Sequence, residues 1–258
     1  MADVHPTAIV SPEAEFASDV QIGPYCIVGS SVVIGSGTRL MGHAVVDGHT
    51  RIGSDCTLYP FCSVGLQTQD LKFREGNVSH VEIGDRTTIR EYVTIHAATD
   101  HGDVTRVGSD CHIMAYAHIA HDCVVGNEVI IANCGTLAGH VVLEDQVILG
   151  GLSAVHQFVK LGRLSIVGGC SKVTQDVPPF MMADGHPLRI PAVNSIGLKR
   201  RGISEESQRH LKQAHRILYR QDLSTSHALE KLATEVEQVE EIQQLIRFIS
   251  SSERGIVK

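Results

Sequence analysis

The sequence predicts a mainly β protein, a parallel β-helix followed by a small α-helical domain. Two patterns carry this prediction. Large apolar side chains recur at every sixth position from the start of the chain, at Val4, Val10, Phe16, Ile22 and Val28. After Ser204 the apolar residues recur instead at the spacings of three and four that an α-helix shows. A period of six fits neither a helix nor an alternating strand, but it fits coils in which each hexad supplies one short strand and one bend.

The hexads run from Val4 to Val64, pause, and resume from Ile83 to Val173 with a break at His101. Small residues often lie two positions before the large ones, and cysteine takes this place at Cys26, Cys56, Cys62, Cys111 and Cys123. We interpret these thiols as small core residues. The hexads resemble those of the hexapeptide-repeat family, and this resemblance implies a left-handed parallel β-helix with three hexads, or eighteen residues, in each coil.

Two polar segments interrupt the hexads, and we interpret them as loops near residues 66–82 and 97–106. In a repeat scaffold, inserted loops are common carriers of function. The β-helix is predicted to span residues 1–190 with these loops, and a C-terminal helical domain to span residues 191–258. Ser204, followed by Glu205 and Glu206, predicts the N-terminus of a helix, and two further helices are predicted, one after Ser224 or Ser226 and one around Val239–Ile249.

The composition argues against two classes of function. The 258 residues carry a net charge of −7, so no basic face is large enough to neutralise nucleic-acid phosphates. No run approaches 18 consecutive apolar residues, and the first residues lack the basic and apolar regions of a secretory signal. We therefore expect a cytoplasmic protein with no nucleic-acid partner and no stable membrane insertion.

A cluster of histidines lies where successive coils should stack. With eighteen residues per coil, His121, Gly139 and Gln157 form one column, and Asp122 and His140 form the next. Histidine accepts a proton near neutral pH, and a neighbouring carboxylate can orient it and stabilise the imidazolium. A glycine N–H can approach a developing oxyanion without obstruction. These residue types predict a general base at His121, an orienting acid at Asp122 and an oxyanion donor at Gly139.

Several longer motifs resemble those of the bacterial acyl-carrier-protein:UDP-N-acetylglucosamine O-acyltransferases, over essentially the whole chain. They are Ala117–Cys123, Leu137–His140, Ala154–Phe158, Gln69–Lys72 and Gly197–Gly202. The resemblance implies transfer of a 3-hydroxyacyl chain from acyl carrier protein to the 3-hydroxyl of UDP-N-acetylglucosamine, the first step of lipid A biosynthesis, by a homotrimer with sites between subunits. It implies no cofactor, because phosphopantetheine arrives on the carrier.

The same resemblance implies roles for residues around the proposed base. Asp70 and Lys72 in the first loop would hold the sugar and phosphate. The nucleotide-sugar and pantetheine cleft and other substrate contacts would be formed by His96, His118, His140, His156, Gln157 and Asn194. Arg200 and Arg201 would face the diphosphate, since arginine suits planar, charge-assisted phosphate contacts. Gly169 would act as the acyl-chain ruler.

Basic residues recur every four positions in the helical segment, at Lys212, Arg216 and Arg220. On a helix they form one stripe opposite the apolar face, and we predict that this stripe docks the acidic carrier protein. An ordinary solvated helix face is the alternative interpretation.

The residues also leave other functions open. His118, His121 and His140 are a possible zinc set in a carbonic-anhydrase-like β-helix, although we expect no metal because the loop carboxylate, the lysine and the arginines would then have no role. A non-enzymatic scaffold would leave the loops unexplained. The residues leave the acyl-chain length open. They also leave open whether the acceptor is a 3-hydroxyl sugar, which gives O-acylation, or a 3-amino analogue, which gives N-acylation. The chain departs from the family pattern at residues 73–80 and at Ala97, Ala98, Pro187 and Ile196.

Overall fold

The computed structural model describes residues 2–258 and confirms the predicted parallel β-helix with a C-terminal helical region. Short parallel strands stack into three sheets, which form the three sides of a triangular prism. Each coil contributes one strand to each sheet, so the chain turns at three long edges of the prism. None of the helices in residues 2–258 combines the length and apolar character needed to cross a membrane.

The strands of the first sheet are Asp3–Val4, Gln21–Ile22, Arg39–Leu40, Thr57–Leu58, Thr88–Ile89, His112–Ile113, Ile130–Ile131, Ile148–Leu149, Ile166–Val167, Met181–Asp184 and Arg189–Val193. Those of the second sheet are Ile9–Val10, Ile27–Val28, Val45–Val46, Ser63–Leu66, Thr94–His96, His118–Ile119, Thr136–Leu137, Ala154–Val155 and Lys172–Val173. Those of the third sheet are Glu15–Phe16, Val33–Ile34, His49–Ile52, His80–Ile83, Val104–Val107, Val124–Val125, Val142–Leu143 and Lys160–Leu161.

The register of strand pairing shows how many residues each of the two loops inserts into its coil. Paired residues are 18 apart in a plain coil, as in Thr136 with Ala154. Thr57 pairs with Thr88, 31 residues later, so the first loop adds 13 residues to its coil. Val81 pairs with Thr105, 24 residues later, so the second loop adds six. The loops occupy residues 67–79 and 97–103, and both leave the prism at the edge between the second and third sheets.

The core is the inside of the prism, where the hexad side chains stack from coil to coil. Residues such as Leu58, Ile89, Ile119 and Leu137 are fully buried. The five cysteines predicted to be small core residues are also buried, which confirms that prediction. Each Å² of apolar surface buried in a coil contributes about 25 cal/mol of stabilisation. The close-packed interior then supports the side chains at the edges rigidly.

Beyond Val173 the chain adds a hairpin and four helices. The strands Met181–Asp184 and Arg189–Val193 pair antiparallel on the first sheet, so the boundary predicted at residue 190 falls inside a strand. The helices are α1, Ser195–Arg200; α2, Glu205–Arg220; α3, Thr225–Glu235; and α4, Glu240–Ser250. Ser204 caps α2, as predicted, and Ser224 rather than Ser226 caps α3. The sequence analysis did not predict the hairpin or α1.

Candidate functional site

His121 and Asp122 form the turn that follows the strand His118–Ile119, at the edge from which both loops leave. Asp122 adopts a left-handed conformation, with φ 59°, and its N–H donates to Thr105 Oγ1 at 2.9 Å. Its Oδ2 lies 2.7 Å from His121 Nδ1. Because an ionised carboxylate only accepts hydrogen bonds, this contact places the imidazole proton on Nδ1. Nε2 is then the nitrogen able to accept a proton from a substrate.

Gly139 lies one coil beyond His121, as the eighteen-residue spacing predicts. An ideal Cβ at this position would lie no more than 3.0 Å from the His121 ring atoms Cε1, Nε2 and Nδ1. Only glycine therefore lets the ring rest against the backbone. Within residues 2–258 the Gly139 N–H donates no hydrogen bond. The edge thus places the imidazole against a glycine whose N–H is free within the described residues.

His140 and Phe158 continue the same edge. The N–H of His140 donates to the backbone oxygen of His121 at 3.1 Å, and His140 Nε2 lies 3.7 Å from Asp122 Oδ2. The ring of Phe158, one coil further on, stacks on the His140 ring with centroids 4.5 Å apart. This packing fixes His140 perpendicular to His121, at 90°. Asp122 therefore has a histidine on each side.

The first loop brings Asp70 to the other face of His121. Asp70 Oδ2 lies 3.9 Å from His121 Nε2, which leaves a gap at the nitrogen predicted to accept a proton. The hydrogen bond from the Lys72 N–H is the main cause that lowers the pKa of the Asp70 carboxyl; burial opposes it, and the His121 charge and the Thr99 hydroxyl add smaller lowering effects. The side chain of Lys72 is exposed.

The second loop joins these two carboxylates. Thr99 is buried, its hydroxyl donates to Asp70 Oδ2 at 3.3 Å, and its N–H donates to Asp122 Oδ2 at 3.4 Å. The loops are also tied to each other, since Asn77 Nδ2 donates to the backbone oxygen of Thr99 and Ser79 Oγ to that of Ala98. The two insertions therefore act as one unit that positions both carboxylates around His121.

His96 is buried and His118 is half-buried within the cluster. Burial is the main cause that lowers the pKa of His118, to about 4, with smaller contributions from the charges of His96 and His121. Burial likewise lowers the pKa of His96. His118 Nδ1 lies 2.6 Å from Thr94 Oγ1. Because burial disfavours the protonated form, both imidazoles are weak bases that stay neutral at pH 7, and they can offer polar contacts.

Comparisons with known proteins relate this chain to one family of acyltransferases. Residues 105–139 match the family model described as bacterial transferase hexapeptide, and residues 176–257 match the one described as UDP N-acetylglucosamine O-acyltransferase, domain 2. An acyl-[acyl-carrier-protein]–UDP-N-acetylglucosamine O-acyltransferase of Thermodesulfovibrio yellowstonii is 50% identical over 100% of both chains. One of Herminiimonas arsenicoxydans is 44% identical, again over 100% of both. The chain belongs to the UDP-N-acetylglucosamine O-acyltransferases.

Solved structures of this O-acyltransferase family share the fold. The structure of LpxA from Acinetobacter baumannii is 43% identical, covers 99% of each chain and superposes with a TM-score of 0.95. LpxA of Bacteroides fragilis, described as a UDP-N-acetylglucosamine acyltransferase, is 37% identical, covers 99% of this chain and 100% of its own, and superposes with a TM-score of 0.96. The left-handed β-helix predicted from the hexads and the family resemblance is therefore confirmed.

Three residues that the resemblance to these O-acyltransferases assigned to substrate lie away from His121 in this chain. Arg201 forms an ion pair with Glu128, in a turn at the edge between the third and first sheets, and Arg200 beside it is exposed. Asn194 is buried, caps α1 through Gly197 and donates to the backbone oxygen of Leu164. His121 lies at a different edge of the prism. A single copy therefore does not bring the arginines to the base.

The remaining predicted residues are exposed or lie at other surfaces. His156 and Gln157 are exposed beyond Gly139, on the edge that carries His121. Gly169 lies in a turn at the edge between the first and second sheets, where an ideal Cβ would lie 3.1 Å from the backbone oxygen of Gly151. Lys212, Arg216 and Arg220 are exposed on α2 and form no ion pair within residues 2–258. Leu211 and Leu218 are buried on the opposite face.

The geometry also bears on the metal alternative. His121, Asp122 and His140 offer ligand atoms that all lie within 4.8 Å of one another, so these three could hold a metal ion. The set considered from the sequence does not assemble, because His118 is turned toward Thr94. Two imidazoles and one carboxylate remain, and both imidazoles share the same Asp122 oxygen.

Sequence reasoning missed Thr99, Glu128 and Phe158. Phe158 follows His140 by eighteen residues, so the column rule could have identified it. Thr99 lies in a loop without a repeat, and Glu128 is 73 residues from its partner Arg201, so neither spacing nor periodicity signals their contacts.

Proposed function

We propose that this chain transfers a 3-hydroxyacyl group from the thioester of acyl carrier protein to the 3-hydroxyl of UDP-N-acetylglucosamine, with His121 as general base. The observation that carries the proposal is the position of His121, whose Nδ1 is held by Asp122 while its ring lies against Gly139, a residue whose N–H donates no hydrogen bond within residues 2–258. An acyl transfer needs these two groups together, a proton acceptor for the attacking hydroxyl and a donor for the oxyanion. Family membership supplies the substrates.

The proposed reaction has two steps. His121 Nε2 takes the proton of the sugar hydroxyl while its oxygen attacks the thioester carbonyl, so a C–O bond forms and the carbonyl oxygen becomes an oxyanion. Gly139 N–H donates to that oxyanion, and Asp122 stabilises the imidazolium. The tetrahedral intermediate then collapses, the C–S bond breaks, and the pantetheine sulfur takes the proton from His121. The residues need no further cofactor for this sequence.

Binding of the sugar nucleotide requires a second copy. Asp70 lies next to His121 and, with Lys72 two residues further along the same loop, would hold the sugar, whereas Arg200, Arg201 and Asn194 lie at other parts of the prism. In a homotrimer the His121 edge of one copy faces a different edge of its neighbour, which then supplies the arginines for the diphosphate. Bidentate guanidinium contacts suit that group. On binding, the diphosphate would replace Glu128 as the ion-pair partner of Arg201.

A product assay tests the proposal directly. The purified protein is incubated with a panel of 3-hydroxyacyl carrier thioesters and either UDP-N-acetylglucosamine or its 3-amino analogue, with and without a metal chelator. We expect an alkali-labile ester on the 3-hydroxyl and an unchanged rate with chelator. Activity that falls with chelator and returns with zinc would instead favour the His121, Asp122 and His140 metal site. Transfer to the amine alone would limit the chain to N-acylation.

Acyl-chain length tests the proposed ruler. An ideal Cβ at Gly169 would crowd the backbone oxygen of Gly151, at 3.1 Å, and we expect the space outside this turn, which carries no side chain at Gly169, to admit a long 3-hydroxyacyl donor. Gly169→Met should fill that space and shift the preferred donor to a shorter chain by several carbons, measured as kcat/KM across the donor panel. Leu152→Met, an exposed change at the same edge, serves as the control. An unchanged profile in Gly169→Met would place the ruler elsewhere.

Carrier docking is tested by charge reversal on α2. Lys212→Glu with Arg216→Glu should raise KM for acyl carrier protein several-fold and flatten its salt dependence, because exposed charges steer an acidic partner and are screened over about 10 Å at 0.1 M salt. KM for the sugar nucleotide should stay constant. Arg51→Glu with Arg254→Glu makes the same charge change on other exposed positions and should have little effect. If both pairs behave alike, the stripe is only a solvated surface.

A further inference from the structure

Thr99, in the second loop, contacts both carboxylates that flank His121. Its hydroxyl donates to Asp70 Oδ2 at 3.3 Å, and its N–H donates to Asp122 Oδ2 at 3.4 Å. Thr99 is only 5% exposed, so water competes little for either contact. Both contacts are long, as catalytic hydrogen bonds often are before the substrate binds. The two roles can be tested separately, because a substitution at Thr99 removes the hydroxyl and leaves the N–H.

Both oxygens of Asp70 have a donor, and these donors hold the carboxylate at a distance from His121. The Lys72 N–H donates to Oδ1 at 3.0 Å, while the Thr99 hydroxyl donates to Oδ2. The N–H of Asp70 donates to Thr68 Oγ1, also at 3.0 Å, and Thr68 is buried. Held in this way, Asp70 Oδ2 lies 3.9 Å from His121 Nε2. The loop backbone and one hydroxyl thus determine the width of this gap.

The width of the gap matters once His121 has accepted the proton of the sugar. In the proposed reaction, the imidazolium must then pass that proton from Nε2 to the pantetheine sulfur. A carboxylate oxygen within about 3 Å would accept a charge-assisted hydrogen bond from Nε2–H and retain the proton. At 3.9 Å, Asp70 Oδ2 is too far from Nε2 for a hydrogen bond. The gap therefore leaves the proton available to the leaving group.

The other charged groups around the His121 ring lie on its other sides. Asp122 Oδ2 is paired with Nδ1 at 2.7 Å, and the His140 ring lies perpendicular to the imidazole with centroids 5.1 Å apart. Asp70 is thus the carboxylate that faces Nε2. The next residue, Leu71, is fully exposed, so its side chain gives the loop no apolar anchor beside Asp70. The position of the Asp70 carboxylate therefore depends on its hydrogen bonds.

From these contacts we infer that Thr99 is a positioning residue, whose hydroxyl keeps Asp70 away from Nε2 so that the sugar proton can reach the pantetheine sulfur. The inference rests on the proposed acyl transfer. There the sugar O–H bond breaks as an N–H bond forms at Nε2, and the sulfur takes this proton when the C–S bond breaks. Without the Thr99 hydroxyl, the imidazolium becomes the strongest donor within reach of Asp70 Oδ2. The pair that forms retains the proton on His121.

Thr99→Val tests the inference, because valine has nearly the shape of threonine and keeps the N–H that donates to Asp122. With both substrates at saturation, kcat for ester formation should fall about tenfold, since small displacements beside reacting atoms have effects of this order. Thr99→Ser retains a hydroxyl and should stay close to wild-type turnover. Ser79→Ala is the matched control. It removes another hydrogen bond between the same loops, from Ser79 Oγ to the backbone oxygen of Ala98, and should keep wild-type kcat.

A double-mutant cycle with Asp70→Asn identifies the group that the hydroxyl holds. The neutral amide forms no charge-assisted pair with the imidazolium, so Thr99→Val in this background should change kcat by less than about twofold. A purely structural role of Thr99 predicts the same loss in both backgrounds. Thermal unfolding followed by circular dichroism shows whether each variant is folded. If valine prevents folding, the comparison of Thr99→Ala with Thr99→Ser isolates the same hydroxyl.

Three results would overturn the inference. Thr99→Val could keep wild-type kcat, or it could lose the same factor with Asp70 and with asparagine at that position. It could also raise only KM for UDP-N-acetylglucosamine, which would assign the hydroxyl to sugar binding alone. A wild type that forms no ester from acyl carrier thioester and UDP-N-acetylglucosamine contradicts the proposed function itself, whatever the variants at Thr99 do.

Discussion

His121→Ala should lower turnover by about 10²–10⁴-fold, the usual contribution of a general base. Removing the imidazole removes the Nε2 that accepts the hydroxyl proton, while the Gly139 N–H and the loops remain in place. Some activity should persist because oriented substrates still react faster than free ones. The expected signature is a fall in kcat with a nearly constant KM for the sugar nucleotide, measured with acyl carrier thioester at saturation.

The folding control for this variant follows from the surroundings of Asp122. In His121→Ala, the Asp122 carboxylate loses its contact with His121 Nδ1, at 2.7 Å. It keeps the hydrogen bond from the Thr99 N–H, and His140 Nε2 lies 3.7 Å away. A loss of about 1–2 kcal/mol in the free energy of unfolding is therefore expected. His49→Ala, an exposed histidine on the third sheet, is the matched substitution. Wild-type turnover in His121→Ala would reject the mechanism.

Asp122→Asn should be impaired less than His121→Ala. The amide oxygen can still accept the proton on His121 Nδ1, so the ring keeps its orientation, but the neutral amide no longer stabilises the imidazolium. A larger loss of turnover in His121→Ala than in Asp122→Asn is expected if Asp122 supports a general base. If the two residues were metal ligands, loss of either one should reduce the metal content of the purified protein.

The hexads predicted the fold well because one constraint repeats in every coil. An inward aliphatic residue such as Ile119 fixes the direction of its neighbours, and stacking at eighteen residues then places Gly139 against His121 without further information. The same rule would have placed Phe158 on His140. Periodic sequence therefore determines position wherever the chain stays in register.

The features that escaped sequence analysis lie where the register ends. The hydroxyl of Thr99 reaches Asp70 across two loops that have no repeat, so no spacing identifies the pair. Helix α1 is six residues long and contains Gly197, whose helix propensity is low, and its start depends on the cap supplied by Asn194. The hairpin after Val173 joins the first sheet through backbone pairing. This pairing leaves no six-residue pattern of apolar side chains, so the sequence did not predict it.

Gly139→Ala should lower turnover by about 10²-fold while leaving the fold intact. The added Cβ would lie no more than 3.0 Å from three atoms of the His121 ring, and the ring is the nearest obstacle. The ring must move, and a displacement of about 1 Å from the reacting atoms costs about 10²-fold in rate. The backbone N–H stays, so a loss of this size would report the position of His121 rather than loss of the oxyanion donor.

The chain offers a close control for Gly139→Ala in a second Gly-His turn. Gly42 precedes His43 as Gly139 precedes His140, and both histidines are left-handed, with φ 64° and 60°. An ideal Cβ at Gly42 meets Pro24 instead, at 3.1 Å from its backbone oxygen. Both variants should therefore lose a similar, small amount of stability in thermal unfolding, whereas only Gly139→Ala should lose activity. Equal turnover in the two variants would mean that the space beside the His121 ring has no role in the reaction.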